Sequence, residues 1–191
     1  MDPALKFINE AIENESNSGW LLTDRHYGFL GIKTPQAKGK IGTQLFAHYL
    51  QTAHPNCEWE IIESDESSGD LKYKYRQSSS HKWTIVEVKL SKCTVGILKS
   101  GFKTLKLWFN QIRPAKQWDE IVLVGIFPNH YRIWRKTRAE WDEQCVALSS
   151  CSDKGHTGTN DLWKVLLVRN SHTDNFHEWD EVYSNQEGDI I

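Results

Sequence analysis

Two periods of hydrophobic spacing run along this chain, and each change of period marks an element. In residues 4–15, Leu5, Ile8 and Ile12 fall at helical spacing with acids between them, which predicts a short amphipathic helix. Residues 20–34 are mixed and Gly-punctuated, and residues 35–40 read as a polar loop. Ile41, Leu45 and Tyr49, flanked by Leu50, predict a helix over 41–52 that Pro55 and Asn56 stop. Trp59, Ile61 and Ile62 predict a strand, followed by an acidic, Ser-rich turn over 63–69. From 70 to 76 the pattern alternates: Leu71, Tyr73 and Tyr75 share one face, while Asp70, Lys72, Lys74 and Arg76 share the other. Residues 83–90 alternate again, so the two runs and the polar turn at 77–81 read as a β-hairpin.

Val95, Leu98, Phe102, Leu105, Phe109 and Ile112 recur at steps of three and four, which predicts a long helix closed by Pro114. Residues 121–127 form an apolar run of strand length, buried on both faces. Residues 131–134 predict the next strand. Thr137-Arg138-Ala139-Glu140 has the spacing of a capping box and predicts a helix start. Residues 149–160 are Gly/Ser/Thr-rich and read as a long loop, 162–168 as a final strand, and the chain from Asn170 as a polar, peripheral tail. The fold class this predicts is α/β: a central mixed β-sheet flanked by helices on both faces, in a single domain over 1–191.

Composition narrows the picture without deciding it. The 191 residues suffice for one domain with a real core. Nine Trp is a high count, so Trp108, Trp118, Trp134, Trp141 and Trp163 are expected to pack core and interface. The net charge of −2 means that any polyanion partner has to meet a local basic patch. The cysteines, Cys57, Cys93, Cys145 and Cys151, include no C-x-x-C pair. Cys145, Cys151 and His156 do not match a common zinc spacing, and the expectation is reduced, buried thiols in a cytoplasmic protein. No apolar run is long enough to span a bilayer, and the first residues do not read as a secretory signal.

Candidate chemistry sits in the hairpin. On the strand at 83–90, Thr84, Val86, Val88 and Leu90 suit a core, while Glu87 and Lys89 share the opposite face with Ile85. Opposite charges inside an apolar segment are costly unless paired, solvated in a cleft or bound to a metal. A hairpin symmetric about Ser79 and Ser80 sets Asp70 opposite Lys89, with Glu87 one pleat away. Two carboxylates at close range favour a cation between them, and Mg²⁺ is the natural one for hard oxygen ligands. Asp70, Glu87 and the carbonyl of Val88 are the expected metal ligands. Lys89 is expected to orient a water and to stabilise charge on a pentavalent phosphate. The chemistry implied is phosphodiester hydrolysis.

Asp70, a turn, and Glu87-Val88-Lys89 on an apolar strand resemble the PD-(D/E)xK nuclease superfamily, whose best-known members are restriction endonucleases. The resemblance covers residues 38–135: a helix before the hairpin, a helix after the Glu-x-Lys strand, then a buried strand. It implies a restriction-endonuclease-like core with Asp70, Glu87 and Lys89 as catalytic residues and Mg²⁺ as cofactor. Two departures stand out. Gly69 occupies the position before the acid where the family has Pro, and the first helix offers Gln44 where many members carry Glu. Glu58, Glu60 or Glu63 is the local candidate to substitute for that acid.

The resemblance implies a Mg²⁺-dependent endodeoxyribonuclease, foremost a type II restriction endonuclease that cuts double-stranded DNA as a homodimer. Lys38 and Lys40 (with Lys33), Lys99 and Lys103 (with Lys106), and Arg132 and Arg135 (with Lys136 and Arg138) are expected phosphate contacts. His156, Thr157 and Asn160 in the loop are expected to reach bases or phosphates, and residues 136–191 to serve DNA contact or dimerisation. Two other readings compete: a structure-specific or repair nuclease of the same chemistry, and a non-enzymatic nucleic-acid-binding or interaction module.

Overall fold

The computed structural model describes residues 35–64, 69–76, 82–97, 103–127, 130–153 and 163–184. The predicted N-terminal helix, the turn at 77–81, Lys33, Lys99, His156, Thr157 and Asn160 lie outside the described residues.

The fold is mixed α/β, built on a central mixed sheet. Its first element is α1, Pro35–Ala53. The helix begins six residues before the predicted boundary and takes in the expected loop. Proline suits the first helical position, where no backbone N–H is needed, so Pro35 starts this helix rather than delaying it. Ile41, Leu45, Phe46, Tyr49 and Leu50 form its buried stripe.

An antiparallel meander follows: β1 (Trp59–Glu63), β2 (Leu71–Tyr75) and β3 (Thr84–Lys92). The chain then leaves the sheet as β4 (Thr94–Ile97) and β5 (Lys103–Ile112), an antiparallel pair. It returns as β6 (Glu120–Ile126), which runs parallel to β3 from Val86↔Glu120 to Lys92↔Ile126. β7 (Tyr131–Thr137) pairs antiparallel with β6, and β10 (Asp180–Ser184) closes the far edge. The six-stranded order is β1-β2-β3-β6-β7-β10. A second sheet of four strands, β4-β5-β9-β8, adds β8 (Cys151–Asp153) and β9 (Trp163–Arg169).

The buried run of β6 divides its side chains between two cores. Val122, Val124 and Ile126 join the α1 stripe with Leu71, Tyr73, Val86 and Val88. Ile121, Leu123 and Phe127 join Leu105, Leu107, Phe109, Val165 and Leu167 of the second sheet. α1 therefore covers one face of the central sheet and the second sheet covers the other. The short helix α2 (Arg138–Gln144) contributes Trp141 to that second core. α2 starts as predicted: Thr137 and Glu140 form a complete capping box.

Three expectations are corrected. Residues 103–112 form a strand where a helix was predicted, with Leu105, Leu107 and Phe109 inward and Lys106, Trp108 and Asn110 exposed. Lys103 and Lys106 therefore belong to a strand, not to a helix face. The polar tail is structured as well. Asn175 accepts from the Val168 N–H (2.7 Å) and donates to the Leu166 carbonyl (3.0 Å), which docks the segment on β9. Phe176 and Trp179 are buried, and β10 joins the central sheet. Finally, Cys145 and Cys151 are joined in a disulfide, so they are neither free thiols nor a zinc-ligand pair; Cys93 is a buried free thiol, as expected. Among the described residues no helix is long and apolar enough to cross a membrane.

Candidate active site

The site lies where β2 stops short along β3. β2 begins at Leu71, opposite Val86, so the β2-facing edge of β3 beyond Val86 lacks strand partners from β2. Asp70 fills part of that gap. Its backbone N–H donates to the Val86 carbonyl (2.8 Å), and its carboxylate Oδ2 accepts from the Val88 N–H (2.7 Å). In an extended strand the N–H and carbonyl of one residue point to the same edge. The Val88 carbonyl therefore lies on the edge that Asp70 caps.

The register differs from the symmetric hairpin by two residues. Leu71↔Val86 and Tyr73↔Thr84 centre the turn earlier, so Asp70 aligns near Glu87 rather than opposite Lys89. Asp70 thus stands beside the stretch of β3 that carries Glu87 and Val88. Burial pushes the Asp70 carboxyl above its ordinary range; the Lys89 ammonium opposes this, the Glu87 charge adds to it, and the Val88 N–H and Lys116 pull it down.

Gly69 explains one departure from the family pattern. A Cβ built there would lie 2.8 Å from the Val86 carbonyl oxygen and 2.9 Å from Ile85 Cγ2. The chain enters β2 pressed against β3, and only glycine fits that approach. A proline ring would collide with the same carbonyl.

Glu87 is 1% exposed, on the strand face away from α1. Its Oε1 pairs with Lys89 Nζ (2.5 Å) and its Oε2 with Lys116 Nζ (3.1 Å). Lys116 was not singled out in the sequence. It sits in the loop between β5 and β6, a place that periodicity does not reach. The signal that could have marked it is the cluster Arg113-Pro114-Ala115-Lys116 between two apolar strands.

Beside these groups opens a cleft of about 630 Å³, lined in part by Lys40, Gln44, Glu63, Asp70, Arg113 and Lys116. Four kinds of predicted residue meet here: Asp70 of the motif, Lys40 of the basic set, Gln44 of the helix and Glu63 of the local acids. Glu58 and Glu60 instead pair with Arg76 and Lys74. Glu63 is thus the local acid that the fold brings to the cleft.

The remaining basic candidates are placed elsewhere. Lys38 is in the first turns of α1, and Lys103 begins β5. Arg132 pairs with Glu181 (3.0 Å) and Arg135 with Glu120 (3.6 Å). Lys136 is buried over the Trp179 ring, and Arg138 pairs with Asp142. Among the tryptophans, Trp118, Trp134 and Trp141 are buried as expected, whereas Trp108 is exposed with Lys164 Nζ 4.5 Å from its ring.

The residues present suit a divalent cation through the chemistry of their donors. Asp70, Glu87 and the Val88 carbonyl are hard oxygens on two adjoining strands, and two ammonium groups meet the negative charge of Glu87. Among the described residues no group of three or more His, Cys, Asp or Glu side chains forms a metal cluster. No family model, curated protein or solved structure matches the chain.

Proposed function

We propose that this protein is a divalent-metal-dependent nuclease that hydrolyses DNA phosphodiester bonds. The observation that carries the reading is the placement of Asp70, bonded to the Val88 N–H, in a cleft that also holds Lys40, Arg113 and Lys116, the last of which pairs with Glu87 behind it, as Lys89 does. Two acids and an amine from adjoining strands supply the metal ligands and the water-orienting cation. The other cations suit the phosphates on either side of the scissile bond.

In this reading Asp70, Glu87 and the Val88 carbonyl hold Mg²⁺. When bound, the ion supplies Lewis acidity to a phosphoryl oxygen and lowers the pKa of a coordinated water. Lys89 orients the attacking water and stabilises the charge that develops on the phosphorus oxygens. Lys40 and Arg113 bind and align the backbone. The Asp70–Val88 hydrogen bond keeps the carboxylate aimed along the open strand edge.

The topology supports a restriction-endonuclease-like core: a helix, then an antiparallel meander, then a strand parallel to the third member. The hairpin β4–β5 stands where the resemblance leads one to expect a crossover helix, and this departs from that core. The biological role we propose is a type II restriction endonuclease that acts on duplex DNA as a homodimer, in the cytoplasm. A structure-specific nuclease of the same chemistry differs only in substrate.

A second reading, a non-catalytic nucleic-acid-binding module, is favoured by one observation: both oxygens of Glu87 are already paired with lysines. The test is to incubate the protein with plasmid, phage and branched DNA, in Mg²⁺ and in EDTA, beside Asp70→Ala and Lys89→Ala. Discrete fragments from linear duplex that vanish in EDTA and in both variants support the restriction reading. Cleavage of branched DNA alone supports the structure-specific one. Intact DNA throughout, with binding unchanged in Lys89→Ala, rejects the nuclease.

A further inference from the structure

Glu87 does not itself line the cleft; Lys116 does, with its ammonium on Glu87 Oε2. The other oxygen belongs to Lys89. A carboxylate enclosed in this way offers neither oxygen to a cation arriving from the cleft. The loop that carries Lys116 is firmly built. The Lys116 N–H donates to the Arg113 carbonyl (3.1 Å), and its own carbonyl accepts from Arg138 Nη1 (3.2 Å). Arg138 lies 4.5 Å over the Trp118 ring, and Trp118 meets Trp141 edge-on at 5.7 Å. Trp118 Nε1 returns to the Arg113 carbonyl (3.2 Å). The backbone of Lys116 is thereby fixed, while its side chain keeps 18% exposure and a flexible four-carbon stem.

We propose that Lys116 is a positioning residue that guards Glu87. It holds Oε2 in the ligand-free protein, releases it when a divalent cation binds, and then meets a phosphate oxygen of the substrate beside Arg113 and Lys40. This deepens the nuclease reading and rests on it. It makes metal and phosphodiester binding interdependent: the metal alone has to displace an ammonium from a buried carboxylate, whereas a bound phosphate gives that ammonium another anion to meet.

The test is Mn²⁺ binding by isothermal titration calorimetry, without DNA, on the folded full-length protein. Wild type is compared with Lys116→Met, Lys116→Gln, Lys116→Arg and Glu87→Gln, with thermal melts to verify folding. The Met and Gln variants are expected to bind Mn²⁺ roughly tenfold more tightly than wild type, because the competing charge is gone. Lys116→Arg is expected to stay as weak as wild type, and Glu87→Gln to lose binding. Two variants at position 116 guard against one that fails to fold. Unchanged affinity in Met and Gln, with binding lost in Glu87→Gln, overturns the guard and leaves the metal-dependent reading standing. Equal tightening in Met and Arg also overturns it, since charge is then not the cause. No Mn²⁺ binding by any form overturns both the guard and the metal-dependent reading.

Discussion

Gly69 stands so close to Val86 that a single added methyl would meet its carbonyl oxygen at 2.8 Å. The obstacle is backbone, which cannot rotate aside. Gly69→Ala is therefore expected to displace Asp70 from the β3 edge and to cost about 1–3 kcal/mol of stability. Urea unfolding measures the second effect. On the nuclease reading, loss of DNA cleavage at temperatures where the variant remains folded measures the first.

Glu120 gives a pH dependence of defined sign. Burial raises its carboxyl above the usual Glu value, against the opposing Arg135 charge and the hydrogen bond from Tyr73 (3.1 Å). The native state therefore holds a proton there that the unfolded chain has already released. Its contribution to stability is fully present below the ordinary Glu value and is lost as pH rises through the raised native one. Glu120→Gln keeps an acceptor for Tyr73 and removes the titration. Wild-type stability relative to this variant should decline as pH rises from the ordinary Glu value through the raised native one. A flat difference in chemical unfolding across that range refutes the assignment.

The capping box at α2 has the opposite sign. Glu140 Oε2 accepts from the Thr137 N–H (2.6 Å) and hydroxyl (2.7 Å), and these bonds hold its carboxyl below the usual range. Thr137→Ala removes the hydroxyl that caps the Glu140 N–H and is expected to cost about 1 kcal/mol. The stability that Glu140 contributes is present above the ordinary Glu value and is lost as pH falls through the depressed one. The gap between wild type and Thr137→Ala should accordingly narrow in acid, as thermal melts at several pH values will show.

Gly125 in β6 faces the second core. A Cβ there would lie 2.7 Å from Trp134 Cζ3 and 2.8 Å from Leu107 Cδ1. Both neighbours are fully buried, so neither has free space to move into. Gly125→Ala is expected to overpack the interface between the sheets and to destabilise the fold by about 1–3 kcal/mol. On the nuclease reading, metal binding should persist in the variant at low temperature, because the strain falls on the core side.

Much of the central sheet was legible because its strands alternate plainly. β2, β3, β6 and β7 lie where their patterns place them; Glu87 pairs with Lys89, and Asp70 bonds to the Val88 N–H between them despite the two-residue error in register. β5 was misread for a specific reason. Leu105, Leu107 and Phe109 alternate inward, but a bulge then resets the phase so that Ile112 also points inward. Gln111, with φ of 59°, sits in that bulge. The resulting step of three from Phe109 to Ile112 imitates a helix, and Val95, Leu98 and Phe102 upstream complete the imitation. The C-terminal segment was missed because its two anchors, Phe176 and Trp179, stand among polar residues whose partners lie far away in the chain, as when Glu178 accepts from Ser150. Trp179 Nε1 donates to the distant Ser150 (3.0 Å), which no local pattern announces. Lys116 was missed because its role depends on where a loop returns, not on its neighbours in the chain.

The Cys145–Cys151 bridge closes a ring only six positions long. So small a ring removes little disorder from the unfolded chain, about 2 kcal/mol at most. It ties the end of α2 to the β8 margin of the second sheet, and neither cysteine lines the cleft. Oxidants and reductants should thus tune how firmly the end of α2 is fastened to that sheet, one helix away from the Arg138 that holds the Lys116 loop.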